Sequence, residues 1–508
     1  MVGFVSNWES MSLDMDVCQD RSDAGEEVMA PGHGELRRAK LFVDGAWVEG
    51  ESTYPVFDKF TAALIGYADA ASKDQVSLAV RSATDSFERN KLSAYTRYKI
   101  LMRVSDLIES RRNELVETII AEAGFPWLDA SREVTRAAET FLIAAEESKR
   151  LTGEGIPIEA APGNEDRMAF TIRVPRGVVC GITSFNSPLN MVAHKVAPAL
   201  AAGNTVVIKP ARVTPFSAAI LFEILLKAGM PAGHVQLLQG GGAEVGRELT
   251  ANQDIAFYTF TGSTQVGKGL REAIGLRPCA LELGSIAATV IFDDADLERA
   301  APRVAHAGFR RAGQACTSTQ RLFLHEAVLE SFTALLMAAI DALPVGDPHN
   351  PTTIVGPMIS EGEAQRAEEW IDRAVAQGAR ILRGGQRVGG LLQPTVLTDV
   401  RPDMQVISEE IFAPVLSIIP FGSLDAMIDQ VNSTEFGLAA GVFTQDVIKA
   451  MHCARRLRVG IVHINEASSS RVDLMPFSGV KQSGLGREGP KYAMQELTEE
   501  RLVTMSLS

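Results

Sequence analysis

Basic charge is the first thing this chain is short of. Its 49 lysines and arginines stand against 63 aspartates and glutamates, a formal net charge of −14 over 508 residues. Binding a polyphosphate by counterion release needs a basic surface, so no nucleic-acid partner is expected. Cysteine is scarce as well: Cys18, Cys180, Cys279, Cys316 and Cys453 are odd in number, scattered, and form no CxxC or CxxH pair. That is the usage of a reducing compartment, and the expected location is the cytoplasm. The acidic N-terminus has no basic stretch followed by an apolar run, so no signal peptide is read there. Long apolar runs are missing too. The clean stretch 334–340 falls far short of the roughly 18 residues a bilayer requires, so no membrane partner is expected. The eight histidines form no HxxxH or HExxH pattern, and no metal site is expected.

What is present is ordinary globular material, 46% apolar and 22% charged. At roughly 150 residues per domain this length predicts about three folding units or two large ones. Residues 1–38 carry acids, Pro31, Gly32 and Gly34 without steady periodicity, which predicts a flexible N-terminal arm. Order is expected from Lys40, where KLFVDGAWVEG signals a hairpin turning at Asp44 and Gly45. Over 94–123, Ile100, Leu101, Val104, Leu107 and Ile108 recur at the spacing of one helix face. A second helix is predicted over 129–150, with Asp129 as its N-cap. Residues 152–176, punctuated by Gly and Pro, end in the alternating AFTIRVP and read as an extended ribbon. Beyond it the buried strands GVVCGIT, TVVIKP, VQLLQG and IAFYTFTG alternate with helices such as SPLNMVAHKVAPALAAG and TPFSAAILFEILLKAG. The rhythm restarts after Gly284 with ATVIFDDAD and TQRLFLHEAV. Such alternation predicts βαβ units, parallel sheets and two α/β domains.

Four segments carry candidate chemistry. GNTVVIKPA ends a strand in Lys209, a cation at the carboxyl edge of a parallel sheet, where nucleotides bind; a single strand-end lysine more commonly is a solvated charge. In FTGSTQVG, Gly262, Ser263 and Gly267 make a strand-to-helix turn whose amides suit a phosphate, though it is neither GxGxxG nor a Walker loop. ALELGS closes a buried run with Glu282, whose pKa burial would raise toward that of a general base; a surface carboxylate is the other reading. GQACTSTQR sets Cys316 in a loop of small residues that leaves a thiol accessible for nucleophilic attack. A lone cysteine is more often a small buried hydrophobe. No histidine sits in a motif that would partner it.

Taken in this order, from about residue 40 to 508, these segments resemble the aldehyde dehydrogenase superfamily. ITSFNSPLN resembles the segment that carries the family's oxyanion-stabilising Asn, here Asn186. GNTVVIKPA corresponds to the cofactor-ribose lysine, Lys209, and FTGSTQVG to the pyrophosphate loop. LELG supplies the base as Glu282, and GQAC the nucleophile as Cys316. EEIFAPV implies Glu410 at the nicotinamide ribose and Phe412 beside the ring, while MPFSGVKQSGLGREG places Phe477 near the substrate and Glu488 near the base. The resemblance also implies Thr183, Phe185 and Leu283 along the cofactor. The implied activity is oxidation of an aldehyde to its acid through a cysteine thiohemiacetal and thioester. Relatives that transfer the acyl group to coenzyme A generally lack the base, so Glu282 favours hydrolysis.

Several positions depart from the family pattern. NAD-preferring members often carry a Glu where this chain has Arg212; a guanidinium there suits a 2′-phosphate, and NADP is expected over NAD. Ser187 stands where an aromatic is frequent, and Ala413 and Ser478 stand where Gly is usual. Nothing in the sequence explains Ile286. SSSRVDLMPF resembles the branch that handles lactaldehyde and non-phosphorylating glyceraldehyde phosphate, along with semialdehyde and phosphonoacetaldehyde relatives. A short polar or anionic aldehyde is therefore expected, bound by Arg136, Asn190, Arg311, Arg471 and Phe477; solvated or ion-paired arginines are the other reading. EASSS would equally line a pocket for an aromatic aldehyde. A catalytically silent superfamily member and a cysteine hydrolase are the alternatives from other classes.

The implied architecture is α/β. A Rossmann-like NAD(P)-binding domain (39–150 and 174–282) joins a second α/β catalytic domain (283–493) and a small β oligomerisation arm (151–173 and 494–508). The arm implies a homodimer or homotetramer.

Overall fold

The structure, a computed structural model, describes residues 36–507. The expected N-terminal arm lies outside them up to residue 35, as does Cys18. Regular structure is already present ahead of Lys40. Arg37–Ala39 already forms a strand, parallel to Leu64–Ala70, which pairs in turn with Ser52–Phe57. The hairpin at Asp44 and Gly45 joins Leu41–Val43 to Ala46–Val48.

Two large sheets carry the molecule. Five parallel strands form the centre of the first: Cys279–Glu282, Ile255–Thr261, Val178–Ile182, Thr205–Lys209 and Val235–Leu237. Each is apolar on both faces because helices cover both, the pattern a buried parallel sheet demands. The register aligns their carboxyl ends: Ile182 pairs with Lys209, Phe260 with Ile182, and Thr261 with Glu282. One edge of the sheet comes from far along the chain, where Gly484–Leu485 lies antiparallel to the strand of Glu282. The second sheet has seven strands around Ala288–Ile291 and Arg321–His325, with Arg380–Arg383 as its one antiparallel edge. The two sheets give two α/β units, as the alternation of strands and helices led us to expect. The ribbon forms a separate antiparallel sheet in which Arg167–Pro175 pairs along its length with Thr498–Ser506. Among the described residues no helix is long and apolar enough to cross a membrane.

Two helix expectations fail in instructive ways. The helix expected over 94–123 is two, Ala94–Ser110 and Arg112–Ala123, broken at Arg111. No Pro or Gly marks the break; Arg111 leaves helical geometry to pair with Glu114 and Glu223. Asp129 is not an N-cap. Its helix runs Trp127–Glu147 from Pro126, and its carboxylate is spent on Arg310 and Arg311 instead.

Candidate active site

The carboxyl edge of the first sheet carries the cofactor-side residues. Lys209 Nζ donates to the carbonyls of Pro210 (3.0 Å) and Gly240 (3.2 Å). The Arg212 guanidinium lies 4.9 Å from the centroid of the Tyr54 ring. Gly262 N–H donates to Glu282 O at 3.0 Å, which ties the turn to the base strand. Ser263 caps the helix Thr264–Ile274 by accepting from Val266 N–H. A Cβ on Gly267 would sit 2.3 Å from Leu283 Cδ2, so a larger residue here would have to displace that buried side chain. Thr183 is buried with its hydroxyl unpartnered. The Phe185 and Phe412 rings meet edge to face at 5.9 Å, and Phe412 takes the left-handed φ of 50°. Glu410 accepts from Ser285 N–H at 2.8 Å, and burial pushes its carboxyl up to about 7. A capped helix N-terminus, a strand-end lysine and an orphaned buried hydroxyl on one sheet edge fit a nicotinamide dinucleotide.

Cys316 lies half-buried in the loop between the turn Arg310–Gly313 and the strand Arg321–His325. That turn is strained: Arg311, Ala312 and Gly313 are consecutive left-handed residues, at φ 53°, 53° and 69°. Each non-glycine residue so held costs on the order of 1–3 kcal/mol, which neighbouring contacts must offset. Arg311 supplies them. Buried against the Phe125 ring, it donates to Asn186 O (2.9 Å) and Ser187 Oγ (2.7 Å) and pairs with Asp129 and Glu133. It therefore clamps the Asn186 loop to the Cys316 loop. Asn186 Oδ1 accepts from Ser184 Oγ at 2.7 Å, and its amide nitrogen makes no hydrogen bond among the described residues. Burial pushes the Cys316 thiol up to about 12, with Glu282, Glu410 and Glu488 adding to the effect and Arg471 opposing it.

Behind the thiol two carboxylates are driven apart. Glu282 is buried with Oε2 unpartnered; burial, then the nearby Glu488, raises its carboxyl well above the usual range. Glu488 is buried too, but Lys195, Arg471 and His194 outweigh that burial and hold it far below the range. Lys195 Nζ donates to Glu488 Oε1 at 2.9 Å and to Thr261 Oγ1 at 2.8 Å. Arg471 donates to Glu488 Oε2 at 3.2 Å and stacks 3.9 Å from the centroid of the Phe477 ring. Opposed carboxyl groups of this kind are how one site holds an acid and a base together.

The arginines expected to bind substrate are committed internally. Arg136 makes a two-pronged pair with Asp473 (2.7 and 3.1 Å), which also accepts from His194. Arg311 is the clamp described above. Asn190 is buried beneath the Thr140 hydroxyl, which donates to it at 3.1 Å. The sequence reading chose Arg311 and passed over its neighbour. Arg310 shares Asp129 with Arg311 at 3.4 Å and donates to Ser469 Oγ at 2.9 Å. Burial lowers its guanidinium to about 10, still cationic at neutral pH. Ser469 also bonds the Thr317 hydroxyl, beside Cys316, and lines a cavity of about 310 Å³ with Arg303, His306 and Glu466. His194 and Lys195 were missed as well, whereas Ser469 falls in the EASSS segment read as a pocket wall; for Arg310 the signal available was the double arginine just ahead of GQAC.

Comparison with known proteins gives the family. The aldehyde dehydrogenase family model matches residues 47–503, and the chain belongs to that NAD(P)-dependent oxidoreductase family. It is 46% identical over 473 residues to a 3-sulfolactaldehyde dehydrogenase of Priestia aryabhattai, covering 93% of this chain and 99% of that one. Among solved structures it resembles aldehyde dehydrogenase 21 of Physcomitrella patens in complex with its reaction product succinate. That match has a TM-score of 0.90 at 34% identity, over 93% of this chain and 99% of the other. It also resembles glyceraldehyde-3-phosphate dehydrogenase GapN of Methanocaldococcus jannaschii complexed with NADP. There the TM-score is 0.85 at 37% identity, over 89% and 98% of the two chains.

Proposed function

We propose that this enzyme oxidises a short anionic aldehyde, of the sulfolactaldehyde or semialdehyde type, to its acid. The observation that carries the reading is Arg310. It shares one buried carboxylate with Arg311 and donates to Ser469, whose hydroxyl in turn bonds Thr317, the residue after Cys316. A guanidinium with only a shared counter-ion has charge to spare for a sulfonate or carboxylate tail. The relatives named above, with sulfonated and dicarboxylic chemistry, support it. Arg471 and Phe477 sit deeper, against Glu488.

In the proposed chemistry the Cys316 thiolate attacks the aldehyde carbon, and the Asn186 amide and Cys316 N–H stabilise the resulting oxyanion, a contribution of a few kcal/mol. The bound nicotinamide supplies a hydride acceptor. Thr183, Lys209, Gly262, Ser263, Gly267, Leu283 and Glu410 are the residues proposed to hold the cofactor, with Phe185 and Phe412 beside its ring. Glu282, once ionised, takes a proton from the water that cleaves the Cys316 thioester. NADP is favoured over NAD because Arg212 presents a cation where a carboxylate would repel the 2′-phosphate. The NADP complex of the GapN neighbour supports the same choice.

We also propose a homodimer or homotetramer. Thr498–Ser506 is a sheet edge with Leu502 and Met505 exposed, and Ile461–Ile464 is the bare edge of the second sheet. A second copy would cover such edges. The unpaired cysteines suit a reducing cytoplasm.

The test is NADPH formation by the purified enzyme from 3-sulfolactaldehyde, succinate semialdehyde, lactaldehyde and benzaldehyde. The charged aldehydes are expected to show the highest kcat/KM. Preference for benzaldehyde would overturn the anionic assignment, and no turnover of any aldehyde, with Cys316 unreactive, would overturn the activity.

A further inference from the structure

Arg471 is one of the cations bound to Glu488, and its surroundings differ from those of Arg310. Its guanidinium stacks 3.9 Å from the Phe477 ring centroid, and its Nη2 lies 3.2 Å from Glu488 Oε2 and 3.4 Å from His194 Nε2. Phe477 and Glu488 are themselves locked by a reciprocal pair of backbone hydrogen bonds, at 3.1 and 2.7 Å. The side chain is 12% exposed, and its partner carboxylate 4%. We propose that Arg471, clamped between Phe477 and Glu488, is a positioning residue that sets the charge of the reactive centre, acting on Cys316 and Glu282 through the field of this pair instead of gripping the substrate's tail.

The groups facing it decide the sign. From the helix Asn190–Ala201 come Lys195, on the other oxygen of Glu488, and His194, which is bound to Asp473 and through it to Arg136. From the first sheet comes Glu282, and from the loop ahead of Arg321–His325 comes Cys316, on both of which the charge of Arg471 acts. Against the thiol, Arg471 opposes three carboxylates, Glu282, Glu410 and Glu488. Removing it leaves Glu488 to Lys195 and His194, and takes away a cation set against those carboxylates at Cys316. Thiolate is then harder to form. A tail-binding arginine would predict something else: lost affinity for charged aldehydes only, with thiol reactivity unchanged.

The proposal rests on Cys316 as nucleophile, so its test avoids turnover. Iodoacetamide alkylation of Cys316, followed by peptide mass spectrometry against pH without aldehyde, reads the thiolate directly. In Arg471→Gln the profile is expected to move up by about one pH unit, or roughly tenfold slower alkylation at neutral pH. Arg471→Lys should recover most of it. Arg471→Met, which keeps a long side chain on the Phe477 ring, should shift as Arg471→Gln does and carries the test if that variant does not fold. In turnover, kcat should fall alike for succinate semialdehyde and propionaldehyde, with their KM ratio unchanged. An unmoved alkylation profile in a folded variant overturns the proposal. So does a tenfold rise in KM confined to the charged aldehyde. A shifted profile in an enzyme that oxidises no aldehyde would instead sink the activity and leave this inference standing.

Discussion

The two sides of Cys316 are built by different means. The cofactor side is made of strand ends and one capped helix, each positioned by its own stretch of chain: Lys209 and Glu282 end parallel strands of one sheet, and Gly262 directly follows the strand beside that of Glu282. The aldehyde side is made of ion pairs between segments far apart. Asp129 meets Arg310 across 181 residues, and Arg136 meets Asp473 across 337. Backbone geometry on one side tolerates side-chain change; on the other, one lost partner leaves a charge buried and uncompensated.

Substitutions sharpen that contrast, beginning where the sides meet. Glu282→Gln should lower steady-state kcat by about 10² to 10⁴ while leaving a stoichiometric first burst of NADPH, because thioester formation does not need the base. Since burial and Glu488 raise the Glu282 carboxyl, and the base must be ionised, wild-type hydrolysis should rise with pH through that raised value, and Glu282→Gln should lose that limb. Stopped-flow fluorescence across pH checks both. Next, Arg310→Gln should cut kcat/KM for charged aldehydes by roughly ten- to a hundredfold, the worth of a hydrogen bond to a charged group, and barely affect propionaldehyde. Equal losses on both would mean that Arg310 only supports the fold. The smallest effect belongs to the cofactor side. Arg212→Glu should lower the affinity for 2′-AMP relative to 5′-AMP by about tenfold, read by calorimetry, with little change in Tm.

This division also explains what the sequence disclosed. GNTVVIKPA, FTGSTQVG, ALELGS and GQAC were legible because each is a contiguous element whose chemistry sits at its own end. The parallel sheets followed from doubly buried strands between helices. Asp129 was misread as a cap because capping is local logic, and its actual partners are distant. The break at Arg111 was invisible for the same reason. Arg311 was expected at a substrate tail; the structure shows it bonded to Asn186 O and Ser187 Oγ from a strained loop, and the residue proposed for the tail is the one beside it. A dipeptide can be found in a sequence, but the direction of each guanidinium is set only when the domains close.

The pairing of Gly484–Leu485 with the strand of Glu282 adds a matter of timing. As the chain leaves the ribosome, the strand bearing the base emerges long before the strand that covers its edge. Until then the first sheet shows open backbone on the side where the chemistry will be, an edge that invites pairing with other chains. Activity and protection from aggregation are therefore expected to arrive together, once Gly484–Leu485 has been made. A chain stopped before Gly484 is expected to be sticky as well as inactive.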